Sequence, residues 1–393
     1  MRVKPIKKIR VIVAMSGGVD SSVAAALLKQ QGYEVAGVFM LFWAESETAS
    51  GCCSGEAEAA ARLVAGKLGL SFYVWNFEKE FKKKVVAYFL HELRAGRTPN
   101  PCVFCNFKIK FGLFLEKAKK LGADFIATGH YARLRREILN PKSGILKKFK
   151  NSNLKNVYKL FTAKDDKKDQ SYFLHRLMQE QLSRVIFPVG GYTKKEVYQL
   201  AKKWHLPHQA KQSFDICFTG DYRRFLNQHL KLKPGKIVKF LNLSQSPKAE
   251  LSSGSNLRGG KGELLGAHQG LPFYTIGQRA RLGGPGPFFV VQKDAKKNIL
   301  YVSNNERDLY QKKMLVEKVN WLDGQPPKFP LKCKIKIRYG GEAARAVISE
   351  QLTINSQQFK IQFKYPQRAI TPGQSAVFYG QGGEVLGGGI ISA

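Results

Sequence analysis

Two sets of residues in this sequence have the types and spacing to do chemistry. One is Ser16-Gly17-Gly18-Val19-Asp20-Ser21-Ser22, which follows the apolar run Val11-Ile12-Val13-Ala14. The other is Cys102 and Cys105, spaced as Cys-x-x-Cys, with Cys217 far downstream. A strand, a tight glycine turn and a helix together form an anion site. Glycines let the backbone approach a ligand with no Cβ in the way. The helix here would carry Val23-Ala24-Ala25-Ala26-Leu27-Leu28. Its first-turn N–H groups would point at phosphate oxygens, helped by the helix dipole. Ser16, Ser21 and Ser22 add hydroxyl donors. The bland alternative is an ordinary glycine turn.

Two familiar nucleotide loops do not fit this stretch. A Walker loop needs a lysine after its last glycine, and a dinucleotide fingerprint needs three spaced glycines. The string instead resembles the pyrophosphate loop of the ATP pyrophosphatase (PP-loop) superfamily. That resemblance implies cleavage of ATP between the α and β phosphates, with AMP passing to an acceptor oxygen. A missing lysine is compatible with this, because no γ-phosphoryl group is transferred.

The cysteines alone leave four readings open. They could be buried structural thiols, or part of a zinc site completed by Cys52, Cys53 or a histidine. They could hold an iron–sulfur cluster with one iron open. Or one carries a persulfide that another resolves as a disulfide. Six cysteines in 393 residues do not make a secreted disulfide framework. Cys52 and Cys53 receive no role, and Cys333, alternating with lysines, is expected in a core. An adenylating loop beside sulfur chemistry is coherent. Adenylation turns a carbonyl oxygen into a good leaving group, and sulfur can then add to the activated carbon.

The elements that must position these groups follow from periodicity. Glu34–Met40, Ser71–Trp75 and Asp124–Thr128 read as strands, and Glu56–Leu68, Glu78–Arg94 and Lys108–Leu121 as helices. Thr193 caps a further helix to about Trp204. This alternation predicts a doubly wound parallel sheet, with ligands at the carboxyl ends of its strands. The prolines of Gly96–Asn106 predict an ordered turn that carries the Cys-x-x-Cys. Leu134–Val157 reads as an exposed hairpin or insertion. Beyond Gly220 short apolar runs alternate with Gly and Pro, which predicts β-barrels. The expected division is an α/β ATP-binding catalytic domain over 1–220, a small central β-rich domain over 221–300 and a C-terminal β-barrel over 301–393, to which the closer resemblance given below adds tRNA binding. No internal repeat is visible.

Lysine plus arginine number 65 and aspartate plus glutamate 29, a net charge of +36. Such a surplus favours a polyanion, and nucleic acid is the obvious one. The run Lys147–Lys168 reads equally as a solvated face. No apolar run is long enough to span a bilayer, and the start has no secretion signal. A soluble, cytoplasmic, monomeric enzyme is expected.

A wider set of motifs carries a closer resemblance. They are Gly96-Arg97-Thr98-Pro99-Asn100-Pro101, Cys105-Asn106, Ile109-Lys110-Phe111, Thr128-Gly129-His130-Tyr131, Lys168-Asp169-Gln170-Ser171-Tyr172 and Asp215-Ile216-Cys217-Phe218. His268-Gln269-Gly270, Thr275-Ile276-Gly277-Gln278-Arg279 and Thr371–Tyr379 continue the series. Together, and in this order, they resemble the tRNA-specific 2-thiouridylases over essentially the whole chain. The resemblance implies ATP-dependent thiolation at C2 of the wobble uridine of tRNAs for Lys, Glu and Gln, releasing AMP and pyrophosphate.

It implies residue roles as well. Ala14, Met15, Ser16, Gly17, Gly18, Val19, Asp20, Ser21, Met40 and Gly129 would line the ATP site, and Asp20 would help place Mg2+. Cys105 would be the nucleophile or resolving thiol and Cys217 the persulfide carrier, supplied by a sulfur-donor protein. Asn100, Pro101 and Cys102 would border the target base. His130, Lys168, Asp169, Gln170, Arg338, Tyr339 and Gln374 would touch the tRNA. One position departs from the family. Many members have aspartate, a candidate general acid/base, where this chain has Cys102. The third thiol raises an alternative in which Cys102, Cys105 and Cys217 hold a [4Fe–4S] cluster.

Overall fold

A computed structural model describes residues 8–42, 55–138, 156–207, 216–240, 262–283, 286–353 and 356–392. The first sheet is built from β1 (Arg10–Ala14), β2 (Glu34–Leu41), β3 (Ser71–Asn76), β4 (Phe125–Thr128) and, later in the chain, β7 (Val185–Ile186). Its order is β3-β2-β1-β4-β7, and every pairing is parallel. Helices cover both faces, so β1 is apolar on both sides. Val11 and Val13 pack with α1 (Val19–Gln30) and α2 (Gly55–Lys67), while Ile12 and Ala14 pack into the opposite core. Val23 to Ala26 of α1 are fully buried, and small side chains let the helix lie close to the sheet. The expected doubly wound α/β domain is present.

The structure corrects the expected turn at the Cys-x-x-Cys. Asn100 caps a helix, α3 (Pro101–Cys105), by accepting from the N–H groups of Cys102 (3.1 Å) and Val103 (3.3 Å). Pro101 sits at its first position, where no N–H is needed. The helix continues through a π-helical stretch, Asn106–Leu113, to Lys120. Spacing i, i+3 on a helix puts Cys102 and Cys105 on one face. The prolines marked the start of this helix, not a turn.

The central sheet joins β8 (Gly235–Lys239), β9 (Leu264–His268), β10 (Arg279–Ala280), β11 (Phe288–Asp294) and β12 (Ile299–Ser303) in the order β10-β11-β12-β8-β9. The last sheet contains β13 (Tyr310–Trp321), β14 (Leu331–Lys336), β15 (Ala344–Thr353), β16 (Ser356–Arg368), β17 (Ser375–Tyr379) and β18 (Glu384–Ile391). These run β13-β16-β15-β14-β17-β18 and close because β13 also pairs with β18. Closure leaves no edge strand within the ring. Phe359, Phe363 and Phe378 fill it.

The hairpin expected after Leu134 is β5 (Arg133–Ile138) paired with β6 (Asn156–Phe161). It does more than protrude. Strand β6 pairs with β18 at Leu160↔Val385, so the N-terminal segment extends the barrel sheet. The 147–155 part of the Lys147–Lys168 run, along with Cys52, Cys53 and Asp215, lies outside the described residues. Cys333 is half-buried against the barrel core, as expected, and burial pushes its thiol up to about 12.

The central sheet reaches the catalytic domain through Lys293 of β11. Its ammonium donates to the Tyr274 carbonyl (2.9 Å) and to Thr98 Oγ1 (3.4 Å). Burial lowers its pKa to about 8. Between that value and the ordinary lysine value of roughly 10.4, the unfolded chain binds more protons than the folded one. This lysine's contribution to stability therefore rises with pH across that window. Thermal unfolding of wild type against Lys293→Met should diverge with pH there. A pH-independent difference would contradict the placement.

Candidate active site

The glycine loop follows β1 where Met15 donates its N–H to Val38 (2.8 Å). Gly17 has φ +75°, and a Cβ there would lie 2.3 Å from the Ala57 carbonyl oxygen. Glycine is required at that turn. Gly18 is the N-cap of α1, and no side chain caps the helix. The Ser21 and Ser22 hydroxyls both donate to the Gly18 carbonyl at 3.0 Å, and Ser21 Oγ accepts from the Ser16 N–H at 3.2 Å. This cross-bracing fixes the loop around the start of the helix, with first-turn N–H groups open to an anion.

A cleft of about 260 Å³ lies in front of it. Ala14, Met15, Ser16, Asp20, Ser21, Met40 and Gly129 line it, and Phe39, Phe42, Lys110 and Thr128 join them. Gly17, Gly18 and Val19 shape the loop from behind and do not line the cleft. Gly129 sits tight against the loop: a Cβ there would lie 2.7 Å from the Ser21 nitrogen and 2.8 Å from the Asp20 carbonyl carbon.

The thiols line a second cavity, of about 480 Å³. Cys102, Cys105 and Cys217 all face it, with Pro101, Lys167, Lys168 and Lys194. Cys105 is buried, whereas Cys102 and Cys217 are half-buried. Cys217 is held beside a buried neighbour, Phe218, whose ring meets Phe81, Phe89 and Phe225 edge-on at 5.5 to 5.6 Å. Asp20, Lys110, His130 and Gln170 line both cavities. The glycine-loop cleft and the thiol pocket therefore share a wall.

That wall is ordered by hydrogen bonds. His130 Nδ1 pairs with Thr128 Oγ1 at 2.8 Å. Burial, and then Lys110, hold the His130 pKa well below the ordinary histidine range, so its imidazole is neutral. Gln170 accepts from the Tyr131 N–H (3.0 Å) and returns its own N–H to the Tyr131 carbonyl (2.8 Å). Asp169 turns inward. Its carboxylate accepts from the N–H groups of Ala163 and Ser171 (both 3.1 Å) and from Ser171 Oγ (2.9 Å). It lies 3.6 Å from Lys336. At 5% exposure Asp169 supports its neighbours and offers nothing outward.

A third cavity, of about 660 Å³, opens where the three sheets meet. Asn100, Pro101, Arg338, Tyr339 and Gln374 line it, with Thr275 and Gln278 of the central domain. It shares Pro101, Phe173 and Tyr339 with the thiol pocket. The Tyr339 and Phe173 rings lie 4.4 Å apart. Gln374 donates to the Thr98 carbonyl at 2.9 Å, so it also braces the loop before α3.

Comparison with known sequences decides the family. The model described as "tRNA methyl transferase HUP domain" matches residues 9–221. Those described as "tRNA methyl transferase PRC-barrel domain" and "Aminomethyltransferase beta-barrel domain" match 223–304 and 311–391. A protein of Halalkalibacterium halodurans named tRNA-specific 2-thiouridylase MnmA is 41% identical, covering 100% of this chain and 96% of that one. Proteins of the same name from Alkaliphilus oremlandii and Coxiella burnetii (strain RSA 493 / Nine Mile phase I) are 42% and 40% identical. They cover 99% and 97% of this chain and 98% of each relative. The chain belongs to the tRNA-specific 2-thiouridylase family.

For a 2-thiouridylase of this family the cluster alternative finds no cradle. Among the described residues, no three of His, Cys, Asp or Glu are grouped to hold a metal ion. No helix among the described residues is long and apolar enough to cross a membrane. Sequence reasoning gave no role to Lys110, Tyr131, Phe173 or Lys194. Lys110 and Tyr131 lie inside quoted motifs, so their position was available. Lys194 comes from a separate helix with no local signal.

Gly129→Ala should force strand and loop apart, at about 1–3 kcal/mol of overpacking. ATP affinity should fall roughly tenfold by calorimetry. Gly191→Ala, where a Cβ meets nothing within 4 Å, is the control and should bind as wild type. Equal affinity in both variants would contradict the tight fit.

Proposed function

We propose that this protein is a tRNA-uridine 2-sulfurtransferase that adenylates and then thiolates the wobble uridine of tRNAs for Lys, Glu and Gln. The observation that carries this reading is the shared wall of Asp20, Lys110, His130 and Gln170 between the nucleotide cleft and the thiol pocket. A base entering from the junction cavity past Asn100 and Tyr339 would have ATP on one side and thiols on the other.

The chemistry then runs in two stages. The C2 oxygen of uridine attacks the α-phosphorus of ATP, brought in as its Mg2+ complex, and pyrophosphate leaves. The first-turn N–H groups of α1 stabilise the charge on the departing group. Neutral His130 can accept or donate a hydrogen bond without adding charge at the wall. In the second stage Cys217 carries a persulfide from a donor protein. The Cys105 thiolate attacks the Cys217 sulfur, forming a Cys105–Cys217 disulfide and releasing hydrosulfide. Hydrosulfide adds to C2, and collapse of the adduct expels AMP to leave 2-thiouridine. A cellular dithiol returns the disulfide to two thiols. Arg338, Lys168 and the wider positive surface would hold tRNA phosphates.

The tRNA affinity should therefore fall steeply with added salt. Cys217→Ser should keep tRNA binding and tRNA-stimulated release of pyrophosphate while losing 2-thiouridine, read by mass spectrometry of digested tRNA. A Cys217→Ser protein that still thiolates removes the sulfur-carrier role. A wild type that binds tRNA but never releases pyrophosphate is a binding protein without catalysis.

A further inference from the structure

The glycine loop lacks the lysine that other phosphate loops carry, yet the structure places an ammonium beside it. Lys194 is the first residue of the helix α4 (Lys194–Lys203), 174 positions from Asp20. Its Nζ lies 2.7 and 2.8 Å from the two Asp20 carboxylate oxygens. Tyr131 adds its hydroxyl to Asp20 Oδ1 at 2.6 Å. Both oxygens of Asp20 are therefore engaged by protein donors. Asp20 is also the one carboxylate among the described residues lining the two catalytic cavities. A Mg2+ ion at that carboxylate would sit beside an ammonium with like charge, at contact distance. The residues present do not fit the expected metal ligand.

Lys194 is instead built to stay. Its own N–H donates to Asp165 Oδ2 (2.9 Å). The turn before it is fixed by the Thr193–Glu196 capping box. Its ammonium lies 5.0 Å from the Tyr198 ring centre and 5.9 Å from that of Tyr131. Only about a quarter of its side chain is exposed (23%). Held at the first turn of α1 by Asp20, the ammonium adds charge-assisted N–H donors beside the helix end. That is the place where a triphosphate would lie.

We infer that Lys194 is the phosphate-binding cation of this site, supplied from α4, and that Asp20 is its positioning residue and not a metal ligand. Lys194 lines the thiol pocket and grips Asp20, which lines both cavities, so it reaches the glycine-loop cleft through the wall the two share. This rests on the ATP-dependent reading above. A wild type that binds no ATP would sink that reading, whereas wild-type binding that Lys194→Met leaves intact would sink this one.

Calorimetry of ATP and of inorganic pyrophosphate separates the roles when run in Mg2+ and again in EDTA. Lys194→Met should weaken both ligands roughly tenfold or more in both buffers. Its tRNA affinity should stay within about twofold. Lys194→Arg should recover most of the loss, because charge is restored. Asp20→Asn should lose affinity by a similar factor in EDTA and in Mg2+. An Asp20→Asn defect that vanishes in EDTA would make Asp20 a metal ligand and overturn the assignment. So would pyrophosphate binding in Lys194→Met equal to wild type.

Discussion

The pairing of β1 with β4 is the constraint on which the site depends. The two strands run parallel in register from Val11↔Phe125 to Ala14↔Thr128. Their carboxyl ends therefore deliver two loops to one place, the serine–glycine loop and Gly129-His130-Tyr131. A glycine is needed at 129 because the backbone of α1 is already there. This contact turns two separate motifs into one wall, with the glycine-loop cleft on one side and the thiol pocket on the other.

A second constraint acts through the loop before α3. Arg97 forms a two-pronged ion pair with the buried Glu92, at 2.5 and 2.7 Å. The Arg97 guanidinium counters burial and lowers the Glu92 pKa below the ordinary carboxylate range. Thr98 gives its N–H to the Pro372 carbonyl and its carbonyl to Gln374. A Cβ on Gly373 would lie 2.9 Å from Arg97 Cβ and from the Thr98 nitrogen. Lys293 reaches Thr98 from the third side. Parts of all three sheets thus grip one short loop, and that loop sets where α3 and its cysteines point. The β5–β6 hairpin separately ties the N-terminal segment to β18 of the barrel.

Much of this was readable in the sequence, for definable reasons. Alternating apolar runs gave the parallel sheet because β1, β2 and β4 are buried on both faces. The glycine loop was readable because Gly17 needs its positive φ and the serines need their spacing. The misreading at Gly96–Asn106 came from weighing two prolines as breakers. Pro101 is a helix-starting residue once Asn100 is seen as its cap. The barrel strands were legible as a class and not one by one, since polar and apolar residues mix along β13 and β15 and three consecutive glycines interrupt β18. The barrel's union with β6 had no local signal either. The same is true of Lys194 and of the inward turn of Asp169. Each depends on contacts between segments far apart in the chain.

The central claim is that one uridine reaches across the wall, so that its own oxygen leaves with AMP. Wild-type protein, ATP, a persulfide donor and tRNA carrying 18O at C2 of the wobble uridine test this directly. One atom of 18O should appear in the phosphate of AMP for each 2-thiouridine formed. AMP that carries no label while 2-thiouridine accumulates would mean that the nucleotide cleft and the thiol pocket do not act on the same carbon.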